Sequence, residues 1–120
     1  MRKELEDRLI SFAIGLAEAC GEANRDYLGQ HLSGQILRSG TSAALNYGEA
    51  QAAESKKDFV HKNSIVLKEL RETHVNLKLM KGTGTVSNMV KIDSLLDECN
   101  QLVAIFYRLV QTARRNNVAK

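Results

Sequence analysis

The residues best suited to chemistry in this chain are basic ones. Lys57, His61, Ser64, Lys68, Arg71 and Lys78 follow one another at steps of four, three, four, three and seven. At about 100° per helical residue such steps keep one side of a helix, opposite Phe59, Leu70 and Leu77. Between Lys56 and Lys81 stand seven Lys or Arg and three acids, and the C-terminal stretch adds Arg108, Arg114, Arg115 and Lys120 with no acid after Glu98. A row of cations with this spacing can hold a phosphate backbone, because each neutralised phosphate releases a counterion. The formal net charge of +3 and the sequence pI of about 9.0 permit that partner. They also permit a plain solvated face. No aromatic residue lies in the stripe, so base stacking is not expected there.

Catalytic constellations are missing. His31, His61 and His74 are dispersed, and none forms a His-x-x-x-His or carboxylate–histidine ligand pair. The Glu-x-x-His pattern of a di-iron bundle is not reproduced by Glu69, Glu72 and His74. Gly82-Thr83-Gly84 has no following Lys-Ser/Thr and no preceding strand, so it does not read as a phosphate-cradling loop. His74 falls on the inner side of its helix and reads as a core histidine. The sequence therefore predicts a non-enzyme with no cofactor and no metal.

Four helices are predicted to position the stripe. The first covers 3–23, with Leu5, Leu9, Phe12, Leu16 and Cys20 on one face. The second covers 28–53. Ser55-Lys56-Lys57-Asp58 is a capping box that opens the third, 56–81, with Phe59, Val66, Leu70 and Leu77 inward. Gly82 suits a left-handed cap and Ser87 the next N-cap. The fourth helix covers 88–115, with Met89, Ile92, Leu95, Leu96, Cys99, Leu102, Phe106 and Val110 inward, and the final residues are expected to fray. Short connections make successive helices antiparallel neighbours. The predicted fold is an all-α, up-down-up-down four-helix bundle in a single domain, 1–120.

The second helix is unusual. Six residues in a row, Ser39 to Ala44, are small and encircle the cylinder. Such a helix stabilises a fold by letting other backbones approach closely. Two arrangements do this: a tight crossing within one bundle, or contact on two sides, one of them with another subunit. Positions equally distant from the turn at Ser55 should face each other. Asn46 is thus expected near Asn63 or Ser64, and Arg38 near Glu69 or Glu72. Arg38, Gly40, Ser42, Asn46, Glu49, Glu69 and Glu72 are read as packing and register residues, because a satisfied polar pair inside a bundle fixes how the helices dock.

The bulk composition agrees. A chain of 120 residues can bury a core without staples, and 43% hydrophobic and 26% charged residues are ordinary for a globular protein. Proline and tryptophan are absent, so Leu, Ile, Val and Ala must build that core. Cys20 and Cys99 read as buried, reduced thiols. No apolar run approaches the ~18 residues of a membrane span, which predicts a cytoplasmic protein with no membrane partner.

The segment QILRSGTSAALNYGEAQAAESKKDFVHKNSIVLKELRET, residues 35–73, resembles the signature of the four-helix bundle proteins related to the 23S ribosomal RNA intervening-sequence protein. The matching positions include Gln35, Arg38, Ser39, Gly40, Thr41, Ser42, Asn46, Tyr47, Glu49, Ser55, Asp58, Phe59, Lys68, Glu69, Glu72 and Thr73. Leu45, Gly48 and His74-Val75-Asn76 depart from the pattern, the last replacing an aromatic-rich segment. The resemblance implies a four-helix bundle assembled as a ring-shaped homopentamer. It also implies kinship with the accessory variability determinant of diversity-generating retroelements, a basic pentamer that binds nucleic acid and a reverse transcriptase. The first functional expectation is a non-enzymatic oligomer that binds RNA or DNA through Lys57, His61, Lys68, Arg71, Lys78, Arg114 and Arg115. The alternative is a structural or adaptor oligomer whose partner is a protein.

Overall fold

The computed structural model describes residues 2–118, and Met1, Ala119 and Lys120 (the last a member of the expected basic tail) lie outside them. The described chain is four α-helices: α1 (Arg2–Gly21), α2 (Tyr27–Gln51), α3 (Lys56–Thr83) and α4 (Met89–Val118). Each helix packs on its neighbours in sequence, and α1 also packs on α4, which closes the square. The result is an up-down-up-down bundle of 51 × 21 × 20 Å.

The helix ends follow from local chemistry. Asp26 Oδ1 accepts from Gly29 N at 2.8 Å and starts α2. Ser55 Oγ accepts from Asp58 N at 3.0 Å, as the capping box requires. Both caps of the α3–α4 loop differ from expectation. Helix α3 runs through Gly82, and Gly84, at φ 70°, supplies the left-handed cap. Asn88, rather than Ser87, caps α4, its Oδ1 accepting from Lys91 N at 3.1 Å. At its far end α4 stays helical through Val118, past the expected fraying at Arg114. A bond from Asn24 N to Thr85 O, 2.9 Å, ties the α1–α2 loop to the α3–α4 loop.

The core is aliphatic, with Leu9, Leu16, Ile36, Leu70, Leu77, Ile92 and Leu102 sealed from solvent. Tyr47 and Phe106 meet edge to face at 5.4 Å between centroids, near its centre. Cys99 is buried and its thiol donates to Leu70 O at 3.3 Å, whereas Cys20 is half-buried. Met89 is exposed, contrary to its expected inward position, because it is the first residue of α4 and lies at the rim. Phe59 and His74 are half-buried, not core residues.

The small residues of α2 divide by side. Ser39, Gly40 and Ala43 are buried. A Cβ at Gly40 would lie 2.3 Å from Leu16 Cδ1, so this glycine lets α1 come close. Ser39 Oγ and Thr73 Oγ1 share a hydrogen bond of 2.6 Å in the sealed α2–α3 interface. Thr41 and Leu45 face outward, and a Cβ at Gly34 or Gly48 would meet nothing. A crossing within the bundle thus accounts for the inner half of the run only.

Candidate nucleic-acid interface

The α2–α3 hairpin sets the orientation of α3, and polar pairs along it hold one antiparallel register. Arg38 Nη1 donates to Glu69 Oε2 at 3.1 Å and Nη2 to Glu72 Oε2 at 2.7 Å. Lys62 Nζ lies 2.6 Å from Glu49 Oε1 near the turn. Glu69 is almost wholly buried, and its Oε1 makes no hydrogen bond of good geometry. Burial alone would push its pKa up. The neighbouring Ser42 hydroxyl, the Glu72 carboxyl and the Arg38 guanidinium together outweigh burial and hold it below the ordinary carboxylate value. Asn46 does not reach across the hairpin as expected. Its Nδ2 donates to Ser42 O at 2.9 Å and Ser42 Oγ at 3.1 Å, on its own helix. Asn63 likewise donates to Phe59 O, one turn back. In mid-helix a short amide finds the carbonyl four residues earlier before it can span to a neighbour.

With this register fixed, Lys57, His61, Lys68, Arg71 and Lys78 are all exposed on the outward side of α3. Val75 occupies the position between Arg71 and Lys78, so the stripe has one apolar break. The ion pairs of the described residues engage Arg8, Arg38, Lys62, Lys81 and Lys91. None of them engages Lys57, Lys68, Arg71, Lys78 or Arg114. The cations paired with acids and the cations of the α3–α4 face are therefore two separate sets.

The α3–α4 seam adds to the stripe. Arg114 Nη2 donates to Ser64 Oγ at 3.3 Å, which brings this part of the C-terminal helix onto the basic face. Ser64, Leu67, Lys68, Arg71, Glu72, Val110 and Arg114 line a groove of about 370 Å³. Arg115 is exposed but points about 100° round from Arg114, on the side of Arg108, and does not join the groove. One contributor is not visible in the stripe itself. Tyr107 of α4, 47% exposed, lies under the Arg71 guanidinium at 5.9 Å from its ring centroid. Its hydroxyl accepts from Gln111 Nε2 at 2.8 Å. An aromatic ring therefore borders the basic face from α4, although none lies in the α3 stripe itself. The signal was the hairpin register: Tyr107 precedes Arg114 by seven residues as Arg71 follows Ser64 by seven.

No group of three His, Cys, Asp or Glu is placed to hold a metal ion among the described residues. Among the described residues no helix is long and apolar enough to cross a membrane. His74 is pushed below the usual histidine value by burial and by nearby Lys78.

Fold and surface together define an antiparallel helical bundle with a basic α3–α4 face. The chain belongs to the 23S rRNA-intervening sequence protein family, whose model matches residues 10–108. It is similar to a crystal structure of a protein of unknown function from the S23 ribosomal protein family of Bacteroides thetaiotaomicron VPI-5482. That similarity has 28% identity and a TM-score of 0.79, and covers 88% of this chain and 97% of the other. None of the curated proteins compared with the chain matches it.

Proposed function

We propose that this protein is a non-enzymatic homo-oligomer that binds the phosphate backbone of RNA or DNA through the outward face of α3 and the α3–α4 groove. The observation that carries this reading is the division of the cations. Lys57, Lys68, Arg71, Lys78 and Arg114 share one side of the bundle, and among the described residues none of them is paired with a carboxylate, although five other cations are. Free cations in a row suit a polyanion, and copies around an oligomer multiply the contacts.

Self-association is supported by the outer side of α2. Leu45 is 67% exposed there, beside Thr41 and Gly48, where a helix from another copy can come close. Five copies is the number that the family resemblance implies. A protein-adaptor role is the second reading, favoured by exposed Val75 and Leu79 beside Lys78.

The test is binding of labelled single- and double-stranded RNA and DNA at rising salt, with the Lys68→Glu/Arg71→Glu/Lys78→Glu variant alongside. Binding that weakens steeply with salt and is lost in the folded variant is expected. No binding at low salt by folded protein would overturn the nucleic-acid reading. Native mass of wild type and Leu45→Glu checks the assembly: a multimer that the variant reduces to monomer is expected, and a monomeric wild type would refute it.

A further inference from the structure

We infer that the α3–α4 groove, together with the Tyr107 ring that Arg71 joins to its end, takes single-stranded nucleic acid in preference to duplex, with one base stacked on Tyr107. This inference rests on the backbone-binding reading and adds a chemical feature to it. Backbone cations alone do not discriminate strands, since both forms offer phosphates. An exposed aromatic ring does, because a base presents its face only when it is unstacked from its neighbours.

The geometry supplies the parts of such a site. The Tyr107 ring is anchored at its hydroxyl by Gln111 and half open to solvent. Arg71, at 5.9 Å from the ring centroid, brings a planar cation that can hold the phosphate beside a stacked base or stack on the base itself. Leu67 and Val110 give the groove an apolar floor, and Lys68 and Arg114 stand along it. Arg114 is steadied by Ser64, about 10 Å along the bundle from the Arg71–Tyr107 pair at the standard helical rise. Glu72 also borders the groove, but Arg38 engages it at 2.7 Å, which blunts its repulsion of phosphate.

The experiment uses the full chain with a fluorescent single-stranded RNA and the same RNA annealed to its complement. Wild type is compared with Tyr107→Ala, Tyr107→Phe and the Lys68→Glu/Arg71→Glu/Lys78→Glu variant, each checked by its melting curve. Wild type should bind the single strand more tightly. Tyr107→Ala should weaken single-strand binding at least about fivefold, the lower end of what one stacked base contributes. It should leave duplex binding and the salt dependence unchanged, and Tyr107→Phe should retain wild-type affinity. Unaltered single-strand affinity in Tyr107→Ala, or an equal loss for both forms, would overturn the stacking inference. If the triple charge variant alone then lost binding, the backbone reading would survive without it. Absence of wild-type binding to either RNA would refute both.

Discussion

Arg38 and Glu69 form the central polar contact of the α2–α3 hairpin: a guanidinium open to solvent holds a carboxylate that is 4% exposed, at 3.1 Å. The Ser42 hydroxyl, the Glu72 carboxyl and this surface guanidinium together stabilise the buried charge against the effect of burial. Because the same guanidinium also binds Glu72, it straddles two turns of α3 and resists a slip along the helix.

The pH dependence follows from the sign of the Glu69 shift. A carboxylate whose folded pKa lies below its unfolded value, about 4.3, stabilises the fold fully above that value. The contribution is lost as pH falls through the folded pKa. Thermal melts from about pH 7 to about pH 3 should therefore show a decline that is shallower in Glu69→Gln. Arg38→Met removes one cause of the low pKa, so its decline should begin at higher pH. Parallel pH profiles for all three proteins would mean that Glu69 does not titrate as described.

Two glycines of α2 should respond oppositely to alanine. At Gly40 a new Cβ meets Leu16 Cδ1 at 2.3 Å, inside a sealed core. Overpacking costs about 1–3 kcal/mol and improved helix propensity returns about 1 kcal/mol. A net loss of up to about 2 kcal/mol is expected for Gly40→Ala. At Gly48 nothing lies near a Cβ, so Gly48→Ala should gain about 0.5–1 kcal/mol. Urea midpoints decide the matter, and equal shifts at both sites would show that α1 and α2 are not in close contact at Gly40.

The thiols should separate by reactivity. Burial, with a smaller push from Glu98, raises Cys99 to about 12, and the side chain is sealed. Cys20 is also raised by burial but reaches solvent in part. With an aromatic disulfide reagent near neutral pH, wild type should label at Cys20 first. In Cys20→Ser, labelling should wait for global unfolding. Fast labelling of Cys99 in that variant would reveal local opening of the α3–α4 seam.

Much of this was legible in the sequence, for physical reasons that differ by residue. Arg38 could be matched to Glu69 and Glu72 because a tight turn at Ser55 makes equal distances face each other. The apolar steps of α1 and α4 mark their inner faces, except at the ends, where Cys20 is half-buried and Met89 exposed. The α3 cap is not legible in the sequence because Gly82 and Gly84 are both glycines, and only the backbone shows that Gly84 adopts positive φ. Equal distance from the turn points Asn46 across the hairpin, whereas a carbonyl on its own helix is nearer. Tyr107 carries no signal in the stripe's own spacing, because it lies on α4, far in sequence from the stripe that it borders.

The α1–α4 seam is the thinner side of the bundle, and two ion pairs cross it, Arg8–Glu98 and Lys91–Glu18. These partners are 90 and 73 residues apart, while the α2–α3 pairs span as few as 13. Chain closure over such separations is entropically the costliest step, so the two ends of the polypeptide should meet last. The seam is then absent from the folding transition state and acts as a latch on the finished bundle. Arg8→Ala should accelerate unfolding in stopped-flow mixing and leave the folding limb nearly unmoved. A slowed folding limb would instead place α1 and α4 in the nucleus. A bundle latched in this way owes its lifetime, more than its speed of formation, to the contact between its first and last helices.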